Sequence, residues 1–148
     1  MINDDVKITG AVQINVFDET GKLKDSREIK NLVVTTGKYF IASRMVGASA
    51  AVMGWMELGT GTTAAAVGDT ALQSAITGSR TALLTSTASS NVVTYTTTFP
   101  AGTGTGAVTE AGIFNASSAG TMLCRTVFSV VNKGALDVIS ITWTVTIS

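Results

Sequence analysis

The side chains that could do chemistry in this chain are few and far apart. There is no histidine, which removes the commonest general base, the Ser-His-Asp and Cys-His catalytic arrangements, and most zinc sites. The one cysteine, Cys124, lies in the run M-L-C-R-T-V-F, which predicts a small core residue on a strand. We expect no thiol nucleophile, because no imidazole exists to activate it.

Three acidic residues, Asp69, Glu110 and Asp137, lie outside the charged N-terminal part of the chain. Two carboxylates that meet in space could act as acid and base, as in glycosidases. Each also has a structural interpretation: Asp69 near a helix start, Glu110 at the start of a strand, and Asp137 beside a turn. Nothing near them in the sequence supplies the shifted environments that a catalytic pair needs. We therefore predict that the protein is not an enzyme and uses no cofactor or metal.

Two glycine-rich stretches match nucleotide-binding motifs only in part. Residues 59–68 follow a strand-like run, but no lysine follows the glycines, as a P-loop requires. Residues 102–107 fit the dinucleotide pattern, yet Pro100 precedes them and the β-type run after them cannot open a helix. Both stretches are predicted to be tight connections between strands.

Alternating apolar residues predict a mainly β protein. Strands are predicted at residues 6–17, 23–34, 53–58, 79–86, 91–99, 108–114, 121–131 and 137–148. Trp143, Ile141 and Val145 are expected in the core. The charged run Lys24 to Arg27 predicts an exposed edge of the second strand.

Helical spacing occurs in one place, Lys38 to Val46, which predicts a single helix packed on the sheet. Thr70 and Gln73 have capping-box spacing, which predicts one helical turn. Together these elements indicate one domain over residues 1–148, an antiparallel β-sandwich of jelly-roll type with one short helix.

Charge is low and unevenly distributed. Charged residues make up 14% of the chain and the net charge is zero; seven of ten cations precede Gly47, and seven of ten acids precede Leu58. Such a surface does not steer nucleic acid, and no apolar run is long enough to predict a membrane span. The acidic start does not resemble a signal peptide, and one cysteine suits folding in a reducing cytoplasm. A neutral surface of small residues is typical of a permanent assembly.

Several stretches resemble small structural proteins of tailed bacteriophages. They are N-L-V-V-T-T-G-K-Y-F-I-A-S-R (31–44), M-E-L-G-T-G-T-T-A-A-A-V-G-D-T-A-L-Q (56–73), T-E-A-G-I-F-N-A (109–116), T-M-L-C-R-T-V-F (121–128) and I-T-W-T-V-T-I-S (141–148). The patterns are similar to those of capsid decoration (cement) proteins and of tail- or fibre-associated proteins. The resemblance covers most of the chain in order and implies no catalytic residues.

The resemblance implies a virion surface protein, assembled in the host cytoplasm, that binds the major capsid protein and reinforces the shell. The alternatives are a tail, baseplate or fibre-attachment protein and a carbohydrate-binding module, which would need exposed aromatic side chains. We expect a homo-oligomer, dimer or trimer, and no binding to nucleic acid or membrane.

Assembly contacts are predicted in two places. Residues 1–12 could form a contacting strand or arm, because termini stay disordered unless tied down. The loop of residues 59–68 is rich in glycine and alanine, which allow close approach of a partner. The residues predicted to make these contacts are Ile2, Val6, Ile8, Gly59, Thr60, Gly61 and Thr62.

Overall fold

Nine strands and one helix form the protein in the computed structural model, which describes residues 5–148. The elements are β1 (Ile8–Phe17), β2 (Leu23–Val33), α1 (Thr35–Arg44), β3 (Trp55–Gly59), β4 (Thr81–Ala82), β5 (Thr85–Ser89), β6 (Val92–Phe99), β7 (Gly106–Phe114), β8 (Met122–Lys133) and β9 (Val138–Ile147). The prediction of a mainly β protein with one helix is confirmed. Within this described part, no helix has the length and apolar character of a membrane span.

The strands form one antiparallel sheet in the order β4-β3-β7-β8-β2-β1-β9-β6-β5. The two ends of the sheet are β4 and β5, which are consecutive in the chain. The sheet therefore curls so that these two ends lie close together. Between them, the Leu83 N–H donates to the Gly54 carbonyl (2.9 Å) on the β3 side. The Leu84 N–H donates to the Thr96 carbonyl (2.8 Å) of β6. One bent segment therefore connects the two ends of the sheet.

The core fills the inside of this curl. Trp143, at 0% exposure, and Ile141 on β9 lie in the same cluster as Leu58 of β3 and Ile113 of β7. The expected burial of Trp143, Ile141 and Val145 is confirmed. Period-2 alternation sends each second side chain of these strands inward and leaves threonines on the outer face. On that face Thr142 is paired with Thr96, and Thr144 with Thr94.

The helix begins and ends earlier than predicted. It spans Thr35–Arg44, so Met45 and Val46 lie beyond it and are 85% and 86% exposed. Its first turn is held against β8, where the Thr36 hydroxyl donates to the Met122 carbonyl (3.1 Å). Gly37 is the buried residue of the helix, and it packs so closely on β8 that a Cβ there would collide with the Leu123 carbonyl. The contact is thus made by a small residue, which helical apolar spacing does not reveal.

Two further predictions are wrong in detail. The helical turn at Thr70 to Gln73 does not form, because the Gln73 side chain accepts the Thr63 N–H (2.9 Å) instead of capping a helix. The strand predicted at residues 79–86 is broken into β4 and β5 at Leu83 and Leu84, where the chain passes from one end of the sheet to the other.

The charged part of β2 does not form an end of the sheet. It pairs with β1, whereas only Leu32 and Val33 pair with β8. The gap between β2 and β8 is bridged by Arg27, whose guanidinium donates to the carbonyls of Ser129 and Val130. The charged residues therefore lie on a strand in the interior of the sheet, along the part of β2 that is not paired with β8.

Candidate functional site

The predicted N-terminal contact falls partly within the sheet. Ile2 lies outside the described residues. Val6 precedes β1 and is 73% exposed, which suits a contact residue. Ile8 opens β1 and packs against the core, while Lys7 exchanges two backbone hydrogen bonds with Ser148 (2.7 and 2.8 Å). Residues 8–12 are therefore a strand between β2 and β9, and not a free arm.

The second predicted contact belongs to a long connection. Residues 60–80 join β3 to β4 with one isolated bridge, Gly59 to Ala75, and no other strand or helix. Connections of this length without secondary structure are uncommon in compact domains and are usually functional or disordered. We call residues 60–80 the long loop. The contacts of the long loop with the sheet show whether the loop is ordered or disordered.

A buried carboxylate, Glu110 of β7, organises residues 61–74 of the long loop. The Glu110 side chain has 0% exposure. Its Oε1 accepts the backbone N–H groups of Gly61 (3.0 Å) and Ser74 (2.7 Å). Its Oε2 accepts the Gln73 N–H (3.0 Å). Three backbone donors, from both ends of the loop's excursion, thus converge on one side chain.

The positive partner is Arg125 of β8, which is 2% exposed. Its Nε donates to Glu110 Oε2 (2.9 Å), and one terminal nitrogen donates to Asp69 Oδ2 (2.8 Å). The other terminal nitrogen donates to the Thr63 carbonyl (3.0 Å). Buried charges are tolerated when they are paired and hydrogen-bonded, as here. We call Asp69, Glu110 and Arg125 the buried ion cluster.

Two glycines, Gly59 at the end of β3 and Gly61 in the long loop, are required by the buried ion cluster. A Cβ added at Gly59 or at Gly61 would lie 2.5 Å from Glu110 Oε1. Neither glycine has a positive φ, so close packing and not turn geometry selects them. Both are buried, and only Thr60 and Thr62 of the four predicted loop contacts are exposed. Within the chain, the close approach at these glycines is made by Glu110, and the predicted partner contact at Gly59 and Gly61 stays a prediction.

Further contacts fix the rest of the long loop. The Thr109 hydroxyl donates to the Gly61 carbonyl (2.7 Å), and the Ser79 hydroxyl donates to the Leu58 carbonyl (2.9 Å). At the far end, Arg80 pairs with Glu57 through two nitrogens (3.1 Å each) and stacks over the Phe114 ring, 3.7 Å from its centroid. The loop is therefore an ordered part of the protein.

The exposed side of the long loop carries no free charge. Asp69 is the one charged residue between positions 60 and 79, and its carboxylate is held by Arg125. The exposed residues between positions 60 and 71 are Thr60, Thr62, Thr63, Ala64, Ala66, Val67, Gly68, Thr70 and Ala71. The result is a neutral, small-residue surface held in one conformation from beneath.

The three acids considered for catalysis are separated into two places. Asp69 and Glu110 meet through Arg125. Asp137 lies elsewhere, where Lys24 (2.6 Å) and the Gly134 N–H (2.7 Å) lower its pKa below the ordinary 3.8. Each carboxylate is engaged in an ion pair: Asp69 and Glu110 share Arg125, and Asp137 is paired with Lys24.

Two other reactive groups are buried within the fold. Burial raises the pKa of the Cys124 thiol well above its ordinary value of 9.0, which keeps it protonated. Lys133 donates to the carbonyls of Pro100 (3.0 Å) and Asp137 (2.6 Å), and burial lowers its pKa against the opposing effect of Asp137. Over residues 5–148, no group of three or more His, Cys, Asp or Glu side chains could hold a metal ion.

Arg125 is the site residue that periodicity does not identify, although the sequence contains a signal for it. It stands in the apolar run M-L-C-R-T-V-F, and Glu110 stands in the uncharged run V-T-E-A-G-I-F. A lone charge flanked by uncharged residues on each of two strands must be paired if both are buried. Pairing β7 with β8 brings the two side chains together.

The chain was compared with family models, curated proteins and solved structures. No family model, no curated protein and no solved structure matches the chain.

Proposed function

We propose that this chain is a structural protein of a tailed-bacteriophage virion that binds the outside of the icosahedral capsid as a decoration, or cement, protein. The observation that carries the proposal is the long loop: an exposed, neutral surface fixed from beneath by the buried ion cluster. The sequence resemblance to small phage structural proteins supports the same class. The partner is the major capsid protein, and the site of action is the virion surface after assembly in the host cytoplasm.

A preformed loop is suited to binding a repeating shell. Association loses less conformational entropy when the contacting segment is already ordered. Gly61, Gln73 and Ser74 are held by Glu110, so the loop brings its surface to the shell without a folding step. A protein that binds the expanded shell and not its alternatives stabilises that form by mass action.

The proposal includes no catalytic activity and no cofactor. Asp69 and Glu110 both accept hydrogen bonds from Arg125, and Asp137 is paired with Lys24. Carboxylates held in this way lack the proton-accepting or nucleophilic freedom that hydrolysis needs. The buried thiol of Cys124 has no activating base, since the chain has no histidine.

The finer architecture, a two-layer sandwich of jelly-roll type, stays a prediction. Its support is the core, in which residues of β1, β6 and β9 pack against residues of β3, β7 and β8. The connection through Leu83 and Leu84 is the kind of corner at which a strand passes between two layers.

Two alternatives use the same surface differently. A tail, baseplate or fibre-attachment protein would also need a neutral assembling loop, and the number of copies per virion distinguishes it from a decoration protein. A carbohydrate-binding module would need an aromatic platform. Tyr39, at 70%, is the one exposed aromatic side chain in the part of the chain that the structure describes. The decoration role is therefore preferred to the carbohydrate role.

Shell binding in vitro tests the proposal. Expanded capsids that lack the protein are mixed with the purified chain and sedimented. We expect saturable binding that is weakened at least about tenfold by the double variant T62R/V67R, because two cations then lie in a desolvated contact. The matched control, Ala135→Arg, adds a cation at an exposed turn outside the loop and should bind normally. Absence of binding by the unmodified chain would contradict the decoration role, and normal binding by T62R/V67R would place the contact elsewhere.

A further inference from the structure

The outer edge of β5 is an open strand edge. Among residues 5–148, β5 (Thr85–Ser89) ends the sheet, and its one strand partner is β6. All five residues are exposed. Ser89 and Val92 are partners across a two-residue turn, so they form a hydrogen-bonded pair. Because such pairs alternate along an antiparallel ladder, the N–H and C=O groups of Ser86 and Ala88 are directed to the free side.

This edge has none of the usual protection against pairing. Natural edge strands are blunted by charges, proline or bulges. The sequence of β5, T-S-T-A-S, contains no charge and no proline, and its pairing with β6 has no register shift. Residues 81–109 contain no charged residue at all, and neither does β9, two strands away. Neither β5 nor β6 therefore carries a charge that would repel another strand.

The contrast within the same sheet is informative. β2, which is only partly paired with β8, carries Lys24, Asp25 and Arg27 along its incompletely paired length. The Arg27 guanidinium also occupies the two carbonyls of Ser129 and Val130 that another strand could use. The chain thus blocks one incompletely paired region with charge and leaves the β5 edge open.

We propose that β5 pairs antiparallel with β5 of a second copy of this chain, about a two-fold axis at Thr87. In this register Ser86 of each copy faces Ala88 of the other, and these are the residues whose backbone groups are free. Both pairs are hydrogen-bonded, so four backbone hydrogen bonds form. A register centred on Ser86 would instead place Ala88 against Leu84, whose N–H is already bonded to Thr96.

The proposed interface is isologous, as a closed two-fold dimer requires. The outer threonines of β5 and β6, Thr87 and Thr94, would continue across the axis onto the partner. This inference does not depend on the virion role, since any function would leave the same edge open. It identifies the surface, the occupant and the register.

A disulfide experiment tests the register. At the axis Thr87 faces Thr87 of the partner in a non-hydrogen-bonded pair, where Cα atoms are about 4.5 Å apart, a distance that a disulfide spans. We expect Thr87→Cys to form a covalent dimer under mild oxidation. The control Thr85→Cys lies on the same strand and face but faces Ser89 of the partner, so it should stay monomeric on a non-reducing gel. Cys124 does not interfere because it is buried.

Variants with opposite charges on β5 test whether a second copy of the chain pairs with this edge. Sedimentation equilibrium should show a species of twice the chain's 15.2 kDa for the unmodified protein. S86K/A88K and S86E/A88E should each raise the dimer dissociation constant at least about tenfold, because like charges then face each other across the strands. An equimolar mixture should form the heterodimer, since lysine faces glutamate at both pairs. The control T142K/T146K adds two cations on the outer face of β9, two strands away from the edge, and should dimerise.

Each result decides the proposal. A monomeric unmodified chain at millimolar concentration would overturn it, as would a dimer that S86K/A88K leaves intact. A mixture of the two charged variants that fails to associate, while both retain β-type circular dichroism, would contradict the Ser86–Ala88 pairing. Equal cross-linking of Thr85→Cys and Thr87→Cys would contradict the register.

Discussion

Arg125 Nε lies 2.9 Å from Glu110 Oε2, and both side chains are almost fully buried between β7, β8 and the long loop. The same glutamate accepts the backbone N–H groups of Gly61, Gln73 and Ser74. One ion pair therefore joins two neighbouring strands to the surface that we propose meets the capsid. Its energetic and conformational roles can be measured separately.

Replacing Glu110 with glutamine should destabilise the protein strongly. The variant Glu110→Gln keeps the shape but leaves Arg125 with only Asp69 as a charged partner, and breaking a buried pair costs about 3–5 kcal/mol. Urea unfolding followed by circular dichroism gives the loss. The control Asp25→Asn breaks the partly exposed pair with Arg27 and should lose less than about 1 kcal/mol. A loss of similar size in both variants would contradict a central role for the cluster.

The two glycines Gly61 and Gly68 should respond oppositely to alanine. At Gly61 a Cβ would meet both Glu110 Oε1 and Gln73 Cβ at 2.5 Å, so Gly61→Ala should cost roughly 1–3 kcal/mol. At Gly68 an added Cβ would have no atom within 4 Å beyond the neighbouring residues of the chain, and the φ of Gly68 is not positive. Gly68→Ala should therefore be neutral or stabilise by up to about 1 kcal/mol. Thermal unfolding of both variants measures the difference; equal effects would contradict the close packing at Gly61.

Trp143 should dominate the core of β9. Its side chain is fully buried, and Trp143→Ala should reduce the free energy of unfolding by roughly 3–5 kcal/mol. The neighbouring Thr142 is on the outer face, so Thr142→Ala is the matched control and should change stability by less than about 1 kcal/mol. A near-neutral Trp143→Ala would contradict the assignment of the inward face.

Such core positions are predictable from sequence because the strand period is local. The alternation of Ile139, Ile141, Trp143 and Val145 assigns their face without knowledge of any partner strand. The failed helical turn shows the limit: the spacing of Thr70 and Gln73 suits a cap, but Gln73 finds a better partner in Thr63. That competition depends on where Glu110 holds the loop, which no local pattern contains.

The pairing of Arg125 with Asp69 lies beyond local patterns for the same reason. The two residues are 56 positions apart, and only the fold of the long loop over β7 and β8 brings them within 2.8 Å. Likewise, the break of the predicted strand at Leu83 and Leu84 is set by closure of the curled sheet and not by residue preference.

Alkaline pH should weaken the protein through Tyr95. Burial raises the pKa of Tyr95 to about 12 from its ordinary 10.0. Between these values the folded state binds more protons than the unfolded state, so stability is full below about pH 10 and falls as pH rises toward 12. Urea midpoints measured across this window should fall, and Tyr95→Phe should flatten the fall. In a Tyr39→Phe background, Tyr95 is the one tyrosine, and its near-ultraviolet absorbance should show a late titration; ionisation near pH 10 would contradict its burial.

The number of copies in a purified virion tests the decoration role most directly. Densitometry of this chain against the major capsid protein on a denaturing gel gives the ratio. A decoration protein that binds each repeating position of the shell should be present at on the order of hundreds of copies per particle, in fixed proportion to the capsid protein. A count that matches a single ring of a tail or baseplate would contradict the capsid role and favour the tail alternative.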